Sequence, residues 1–409
     1  ILQLNYMQNV SKKYIHTLIP WVAQKNYNYM KITKANDCFL FTENNRKLID
    51  FTSGLMVVNL GHNNKDLVKV LNDQAKQLWH LSPLYINQPA IDLSKKLCNK
   101  TFADRVYFCN SGAESVESAI KIARKYTSSF HKKKSEIISF SSSFHGRTMT
   151  SISLAKSKHL TEGFAPLLKG IRQHKYNKVG DLEKHFSKNT SAVILELVQW
   201  HDGIIKADKK FLTEIKRLSK KYKSLVIIDE VQSGIGRTGT FFAYEQFNIK
   251  PDILCFAKGI ANGFPIGGVL TTEKISKKMS YGSHGTTFGG GPIACAIGSK
   301  VVDLISKKKL LSDVFKKEKF FLEKINEFNE KYECFEDVKS AGLWISIHFN
   351  KNLTPFSVDE LIAKCHSNGL MILKANETSV RFSPSLIIEN DLIVKGTKIF
   401  HDTVLSLLK

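Results

Sequence analysis

The sequence predicts an α/β protein with a large domain, built on a mostly parallel seven-stranded sheet, and a smaller α+β domain. Three observations predict this fold class. The 409 residues exceed what one hydrophobic core usually supports. Between about residues 64 and 300, short apolar runs alternate with longer amphipathic segments, which is typical of parallel strands covered by helices on both faces. After about residue 301 the chain changes to long Lys- and Glu-rich segments followed by separate strand-like runs.

The elements of the large domain follow in order along the chain. The first predicted strand is 105–109, and the apolar residues after it recur at helical spacing, which predicts a helix over 114–126. Later apolar runs predict further strands, because strands buried on both faces are continuously apolar. These strands are 136–140, 192–195, 224–228, 253–256 and 268–270, with a basic amphipathic helix over 210–222.

The C-terminal part differs in composition from the rest. A long helix is predicted over 308–331, and strands are predicted at 343–347 and 380–382. The charge runs in this part are typical of solvated helix faces. The predicted division is 1–58 for the N-terminal part of the small domain, 59–300 for the large domain and 301–409 for the C-terminal part of the small domain.

The chain is strongly basic, with 60 Lys and Arg against 37 Asp and Glu and a net charge of +23. Such an excess is compatible with a large anionic partner. Only eight of the basic residues are Arg, however, and Arg is the side chain that binds phosphates and bases bidentately. We therefore interpret the excess of Lys as a solvated surface and expect no specific nucleic-acid partner.

The cysteines indicate a reducing compartment. There are seven, widely spaced and without a C-x-x-C pair, which favours buried thiols of a cytoplasmic protein over disulfides or a metal site. The chain contains no apolar stretch of the ~18 residues needed to span a bilayer, so we expect no membrane association.

Ligands of an open parallel sheet bind beyond the carboxyl ends of the strands, so the residues after each strand are candidates for a site. The turn at 110–114 opens a helix, and its free amides favour a phosphate. The same turn is compatible with an ordinary helix cap, since Ser111 precedes Glu114 by three positions. Phe144 follows the second strand, where a ring beside Arg147 could serve an aromatic anion; taken alone, such a Phe is more often a core residue.

Two charged residues end two further strands. Asp229 follows the fourth strand, and a buried carboxylate needs a cation or hydrogen-bond donors. Lys258 follows the fifth, and burial lowers the pKa of an amine until the neutral form can make a Schiff base. Taken singly, each is compatible with a partly exposed charge. Together with the turn and Phe144 they predict a site for pyridoxal 5′-phosphate, in which Asp229 keeps the ring nitrogen protonated.

At these residues the sequence resembles the class III aminotransferases, which are pyridoxal-phosphate enzymes of fold type I. Within that family it is most similar to the acetylornithine and succinyldiaminopimelate aminotransferases, and the resemblance covers nearly the whole chain. The blocks that carry it include 102–114 (FADRVYFCNSGAE), 144–147 (FHGR), 229–234 (DEVQSG), 285–290 (GTTFGG) and 381–386 (RFSPSL).

The resemblance implies which residues bind the cofactor. Lys258 forms the Schiff base and moves the proton, Asp229 binds the ring nitrogen and Phe144 stacks on the ring. The amides of Gly112 and Ala113 hold the phosphate. The complete implied set is Gly112, Ala113, Phe144, Asp229, Glu230, Val231, Gln232, Lys258 and Thr287.

The resemblance also implies the reaction and the assembly. The expected activity transfers an amino group from an acylated diamino acid, similar to N-acetylornithine, to 2-oxoglutarate in arginine- or lysine-type metabolism. Arg147 and Arg381 are expected to bind substrate carboxylates, for which the Arg fork is well suited. Thr286 lines the substrate path. Thr287 reaches the cofactor of the neighbouring subunit, which implies a homodimer.

One stretch departs from the family pattern. After the third strand the family carries a second Glu that neutralises the carboxylate-binding Arg when an ω-amine binds. His201 stands at that position here, Trp200 replaces a Gly, and Asp202 follows. A His cannot neutralise Arg381. We therefore expect intact cofactor binding and transamination, and an altered donor specificity is an alternative to the N-acetylornithine-like donor.

Other functions remain open at this point. Free ornithine or 4-aminobutyrate is the nearest alternative donor. An aminomutase or a decarboxylase could use the same fold and cofactor without a keto-acid acceptor. A non-catalytic binding relative is a third alternative, against which the intact Lys258, Asp229 and Thr287 argue.

Overall fold

The computed structural model describes residues 30–201, 203–350 and 354–408. The strands in chain order are β1 (Ile32–Asn36), β2 (Phe39–Thr42), β3 (Lys47–Asp50), β4 (Arg105–Cys109), β5 (Glu136–Phe140), β6 (Ile171–His174), β7 (Thr190–Leu195), β8 (Val198–Gln199), β9 (Ile205–Lys206), β10 (Leu225–Asp229), β11 (Ile253–Phe256), β12 (Gly267–Thr271), β13 (Phe335–Ser340), β14 (Ile345–Phe349), β15 (Leu370–Met371), β16 (Leu373–Asn376) and β17 (Ser379–Phe382).

The α-helices in chain order are α1 (Ser53–Met56), α2 (Lys65–Ala75), α3 (Gln88–Lys100), α4 (Gly112–Ser128), α5 (Met149–Ala155), α6 (Lys158–Thr161), α7 (Lys209–Tyr222), α8 (Glu273–Ser276), α9 (Pro292–Ile305), α10 (Lys308–Tyr332), α11 (Val358–Ser367) and α12 (Asn390–Leu408). Short 3₁₀ helices cover Leu182–His185, Ala243–Gln246 and Lys258–Ala261. Among the described residues, no helix is both long and apolar enough to cross a membrane.

The central sheet has seven strands in the order β4-β12-β11-β10-β7-β5-β6. Its neighbouring pairs are parallel, except that β12 runs antiparallel to both β4 and β11. The buried residues of α4 pack against one face of this sheet, and those of α7 pack against the other. The fold class predicted from the sequence is therefore confirmed, and the carboxyl ends of β5, β7, β10 and β11 meet at one edge.

The smaller unit joins the two ends of the described chain. Strand β3 pairs in parallel with β15, within a four-stranded sheet of order β1-β2-β3-β15. A second sheet has the order β13-β14-β17-β16. An aromatic core that includes Phe51, Phe321, Phe382 and Phe400 fills the space between the sheets and helices α10–α12. The boundaries 1–58, 59–300 and 301–409 stay a prediction, and residues 1–29 lie outside the described part of the chain.

Three local predictions are corrected by the structure. The strand expected at 343–347 is β14, which begins two residues later, because the amide and carbonyl of Leu343 bond to Arg237 instead of joining the ladder. Helix α4 begins at Gly112, before the predicted residue 114, because Ser111 accepts a hydrogen bond from Glu114 N at 3.2 Å and caps it. Strand β6, the seventh of the sheet, was not located from the sequence because only its two end residues are buried.

Arg237, in the loop that follows β10, binds segments from distant parts of the chain. Its side chain is fully buried, and its guanidinium donates to Leu343 O at 2.7 Å, Pro384 O at 2.6 Å and Asn59 Oδ1 at 2.7 Å. Burial lowers its pKa to about 9, against the opposing charge of Asp50. Since those carbonyl groups are buried around it, loss of the guanidinium would leave them without a donor.

We therefore expect Arg237→Lys to destabilise the fold by about 3 kcal/mol, because one amine cannot replace a fork of donors and each unsatisfied buried group costs about 1–3 kcal/mol. Denaturant-induced unfolding, followed by circular dichroism, measures the effect. The control is Arg105→Lys, at an exposed ion pair with Glu273 that contributes about 1 kcal/mol or less. Equal unfolding midpoints for the two variants would contradict the assigned role of Arg237.

Candidate active site

A cavity of about 310 Å³ opens at the carboxyl ends of the central strands. Its wall includes the amino end of α4 and the residues that follow β5, β7, β10 and β11. Ligands of parallel α/β sheets are found at this position, because the helices and loops converge there. Seven of the residues predicted for cofactor binding line it: Gly112, Ala113, Phe144, Asp229, Val231, Gln232 and Lys258.

Lys258 lies on the cavity wall directly after β11. Burial is the largest cause that lowers the pKa of its amine to about 7, and the positive charge of Arg381 acts in the same direction. The carboxylates of Asp229 and Glu196 act in the opposite direction. Desolvation outweighs these carboxylates, so a substantial fraction of the amine is neutral at pH 7, which a Lys nucleophile or base requires.

The backbone at Lys258 has an unusual conformation. Its φ is 49°, in the left-handed region that residues other than glycine seldom adopt. The next residue is Gly259, where an added Cβ would collide with the side-chain amide of Asn59. The surrounding packing therefore imposes a strained turn on the Lys, as is often observed at functional sites.

Asp229 is paired with a histidine that the sequence did not single out. His145 Nδ1 lies 2.7 Å from Asp229 Oδ2, and Val231 N donates to Asp229 Oδ1 at 3.0 Å. Burial disfavours protonation of His145, but the hydrogen bond and charge of Asp229 outweigh it and raise the His145 pKa. Within residues 30–201, 203–350 and 354–408, His145 Nε2 is buried without a hydrogen-bond partner. His145 thus supplies the counter-charge that the buried Asp229 carboxylate needs.

Glu196 is a second cavity-lining carboxylate, located directly after β7. One of its oxygens accepts a hydrogen bond from Phe144 N at 3.0 Å. Burial raises its pKa to about 8, although the nearby charges of His145 and Lys258 oppose the rise. Sequence reasoning gave Glu196 no role. An acid at the end of an apolar strand, the signal that identified Asp229, is equally present here.

The amino end of α4 faces the cavity and fits an anionic group. Gly112 and Ala113 line the wall, and α4 extends for 17 residues behind them, so free amides and the helix dipole point at the cavity. A Cβ at Gly112 would lie 2.7 Å from Val231 Cγ1, so this close approach requires glycine. The alternative of an ordinary helix cap is also realised, because Ser111 caps the same helix.

Two arginines and two aromatic rings lie beside the cavity. Phe144 lines it, and the guanidinium carbon of Arg147 lies 5.9 Å from the centre of that ring. Trp200 meets Phe144 edge-to-face at 5.7 Å, and the guanidinium carbon of Arg381 lies 5.1 Å from the indole. Arg381 is buried on β17, whereas Arg147 is exposed.

Trp200, which precedes His201 in the altered stretch, contacts the guanidinium of Arg381 with its ring. His201 packs against Trp200 with ring centres 5.1 Å apart. Asp202, the acid that follows His201, lies outside the described residues. Trp200 thus brings an aromatic ring of the altered stretch next to the guanidinium.

Glu230, a predicted cofactor-binding residue, is not among the residues that line the cavity. This side chain is fully buried and accepts hydrogen bonds from Ala243 N at 2.6 Å and Tyr244 N at 2.7 Å, so it holds the loop after β10 rather than lining the cavity. Burial raises its pKa to about 8. Adjacent residues of an extended segment point in opposite directions, and Asp229 already points into the cavity.

The two threonines lie on the loop between α8 and α9. Thr286 Oγ1 accepts a hydrogen bond from Asn110 Nδ2 at 3.2 Å, next to the amino end of α4. Thr287 is exposed at the surface of the subunit. This placement leaves its predicted contact with a neighbouring subunit as a prediction.

The arrangement fits the predicted pyridoxal phosphate. It combines a desolvated Lys, a paired carboxylate, an anion-binding helix end and an aromatic ring around one cavity. The absence of a side chain at Gly112 lets the helix end approach Val231 closely. His145 Nε2 is buried and has no hydrogen-bond partner among the described residues. These are the chemical groups that such a cofactor requires.

We expect the cofactor-free protein to show the altered basicity of Lys258 directly. Competitive acylation across pH, followed by mass spectrometry, should give a midpoint of about 7 for Lys258. Exposed lysines provide the internal reference, with a pKa of about 10.4. Arg381→Met removes a repelling positive charge, so its Lys258 midpoint should move upward. A wild-type midpoint equal to that of the exposed lysines would show that the amine is not desolvated.

The chain is similar in sequence and structure to several known proteins. A family model described as aminotransferase class-III matches residues 22–404. The acetylornithine aminotransferase of Shewanella oneidensis is 42% identical over 369 residues, which cover 90% of this chain and 91% of that protein. The acetylornithine/succinyldiaminopimelate aminotransferase of Buchnera aphidicola subsp. Acyrthosiphon pisum is 40% identical, with 90% of each chain covered. The crystal structure of N-acetylornithine aminotransferase from Stenotrophomonas maltophilia superimposes with a TM-score of 0.83 at 28% identity, covering 96% of this chain and 98% of that chain.

Proposed function

The chain belongs to the class-III aminotransferase family, and from this premise we propose that it transfers the terminal amino group of an N-acetylornithine-like acylated diamino acid to 2-oxoglutarate. The observation that carries the proposal is the desolvated Lys258 beside Asp229 in a cavity of the sheet edge, in a chain that is about 40% identical to acetylornithine aminotransferases. The names of those relatives, which include a succinylornithine transaminase, favour an acylated donor and a role in arginine-type metabolism.

Class-III aminotransferases depend on pyridoxal phosphate. When bound, this cofactor supplies an aldehyde that takes up the amino group and an electron-withdrawing ring. In our proposal, the amides of Gly112 and Ala113 bind its phosphate, and Phe144 packs on one face of its ring. Gln232 lies near its phenolic oxygen. Val231 completes the wall beside Gly112.

Lys258 is proposed to move the proton of the reaction. A neutral amine can accept a proton from the substrate carbon that bears the amino group, and the resulting ammonium can return it. The pKa of about 7 suits both directions, because neither form of the amine is strongly favoured at neutral pH. Below that pH the amine is protonated and cannot accept a proton, so the forward transfer should slow.

Asp229 is proposed to stabilise positive charge at the ring nitrogen of the cofactor. His145 holds the Asp229 side chain in place through the 2.7 Å hydrogen bond, and Val231 N fixes its other oxygen. A carboxylate oriented from two sides in a buried site keeps its direction while charge develops nearby. Such preorganisation is the main electrostatic contribution of enzyme sites.

Arg147 and Arg381 are proposed to bind the carboxylates of the substrates, and Thr286 is proposed to line the path beside Asn110. The two guanidinium groups flank the Phe144–Trp200 pair from different sides. Each can form a bidentate contact with a carboxylate. Two separate cations suit 2-oxoglutarate and glutamate, which carry two carboxylates each.

We further propose a homodimer in which Thr287 contacts the cofactor of the neighbouring subunit. Large apolar side chains on the segment 79–86 and at Phe288, the residue after Thr287, are unusually exposed: Leu84 at 87%, Ile86 at 82%, Trp79 at 72% and Phe288 at 66%. His80 packs on Phe288 with ring centres 5.5 Å apart, so the two segments form one surface. Exposed apolar surfaces of this kind mark interfaces between proteins.

A cytoplasmic location is proposed from the cysteines. All seven are free thiols in the structure, and six of them are buried. Thiols persist in this form in reducing compartments.

The donor is tested by measuring glutamate formed from 2-oxoglutarate with each candidate amine. We expect N-acetylornithine or N-succinylornithine to give the highest kcat/KM, with ornithine and 4-aminobutyrate lower. Lys258→Ala should lower kcat by at least about 100-fold, since it removes the group that moves the proton. Omission of 2-oxoglutarate should stop turnover. Continued turnover without a keto acid would instead indicate an aminomutase or a decarboxylase, and no reaction with any amine would favour a non-catalytic protein.

Mixed dimers test the proposed position of Thr287. Thr287→Ala should raise the cofactor concentration for half-maximal activity by about fivefold, the equivalent of one hydrogen bond of about 1 kcal/mol. Mixing this variant with inactive Lys258→Ala subunits creates sites that combine an intact Lys258 with an intact Thr287 from the other chain. Those sites should regain wild-type cofactor affinity. Ser283→Ala, on the same loop, is the control, and a mixture without recovery would place Thr287 in the site of its own chain.

A further inference from the structure

His284 lies on the loop between α8 and α9, two residues before Thr286, and contacts helix α4 through both ring nitrogens. Its Nδ1 lies 2.8 Å from Lys121 Nζ, and its Nε2 lies 2.9 Å from Ser118 Oγ. The ring also stacks on Tyr107 of β4, with ring centres 4.8 Å apart and an angle of 28° between the planes. The imidazole is therefore held by the strand and the helix that flank the phosphate-binding turn.

These contacts determine the protonation state and the tautomer of the histidine. A Lys ammonium can only donate hydrogen bonds, so His284 Nδ1 is the acceptor and the proton of the neutral ring lies on Nε2. Ser118 Oγ accepts from this N–H and donates in turn to Glu114 O at 2.7 Å. The four groups form one continuous chain of hydrogen bonds, which requires a neutral imidazole.

The charges around His284 favour the same neutral form. Burial lowers its pKa, the positive charge of Lys121 on α4 lowers it as well, and the carboxylate of Glu117 on the same helix opposes both. Tyr107 is uncharged, because burial raises its pKa to about 12. Protonation of the ring would place a second donor opposite the Lys121 ammonium and break that contact. The attachment is therefore complete above the ordinary His pKa of about 6.5 and weakens as the pH falls below it.

The loop that His284 attaches carries two residues of the proposed site. Thr286 and Thr287 lie between His284 and a second close contact at Gly289. An added Cβ at Gly289 would lie 2.3 Å from Phe108 O, so this end of the loop lies directly against β4. The two threonines are thus fixed from both sides as long as His284 stays in place.

We propose that His284 is a positioning residue for cofactor binding, which in its neutral form attaches the loop of Thr286 and Thr287 to helix α4. The inference rests on the proposed function, which it deepens by assigning a residue that is not among those lining the cavity. A loop that is ordered before the cofactor arrives saves the entropy of ordering it during binding. Cofactor affinity therefore includes a contribution that disappears at acidic pH.

The experiment measures the Kd of pyridoxal phosphate for the cofactor-free protein at pH 8 and at pH 5.5, by quenching of Trp fluorescence. Each variant is compared with wild type at the same pH, which removes the titration of the cofactor and of Lys258. His284→Phe keeps a ring on Tyr107 but has no ring nitrogens. It should raise the Kd about tenfold at pH 8, in the range of one or two hydrogen bonds, and less than about twofold at pH 5.5.

Lys121→Gln provides a variant without the repelling charge. Its amide can donate to a neutral His284 and accept from a protonated one, so its Kd should rise less between pH 8 and pH 5.5 than the wild-type Kd does. Lys125→Gln removes an exposed charge one turn later on α4 and is the control, with the wild-type Kd expected at both pH values. Hydrogen exchange of the amides of 283–290 in the cofactor-free protein should be faster in His284→Phe than in wild type at pH 8.

The two pH values separate positioning from a merely structural role. An equal effect of His284→Phe at pH 8 and pH 5.5 would overturn the inference, as would an unchanged Kd or unchanged exchange of the loop amides at pH 8. Because cofactor binding needs no turnover, a protein with the expected pattern that converts no amine would refute only the proposed function.

Discussion

The site depends on keeping several ionisable groups out of water at the edge of one sheet. Lys258, Asp229, His145 and Glu196 share the cavity wall, and burial is the largest influence on the pKa of the Lys, the His and the Glu. Isolated charges would not be stable there. His145 supplies opposite charge to the Asp229 carboxylate, while the lowered pKa of the Lys258 amine makes its neutral form accessible near pH 7. Desolvation of these groups costs folding free energy, and the same desolvation makes Lys258 reactive. The parallel sheet brings the groups together because its strand ends converge at one edge.

The fold and the closeness of Asp229 to Lys258 could be predicted from the sequence because both depend on local patterns. Continuous apolar runs identify strands buried on both faces, and the convergence of parallel strand ends places Asp229 near Lys258 without any coordinates. The partner of Asp229 could not be found in this way, since His145 lies 84 positions away and its exact direction depends on packing. Likewise, the direction of Glu230 follows from hydrogen bonds to residues 243 and 244, and the choice between Trp200 and His201 as neighbour of Arg381 follows from an apolar cluster assembled across the chain.

Arg237 forms hydrogen bonds that connect the loop after β10 to the smaller unit. It follows Asp229 by eight positions, and its guanidinium binds the carbonyls of Leu343 and Pro384, the second of which follows Arg381 closely on the same segment. The proposed cofactor side of the site and the proposed carboxylate-binding side are therefore connected through one buried cation. A small movement of the segment at β17 would weaken the hydrogen bonds of Arg237, and the buried donors and acceptors have no water to replace a lost partner.

The pairing of β3 with β15 also affects how the chain folds during its synthesis. Ser383 Oγ donates to Thr52 O across 331 positions, and β3 pairs with the distant β15, so the first strands of the small unit cannot complete their sheet until β15 has left the ribosome. At typical synthesis rates that interval lasts roughly half a minute. During this time the edge of β3 and the ring of Phe51 lack the partners that later cover them, which is the situation that chaperones recognise and that aggregation exploits. The cellular yield of the enzyme is therefore set partly by the lifetime of an open strand edge during translation, a quantity separate from the stability of the finished fold.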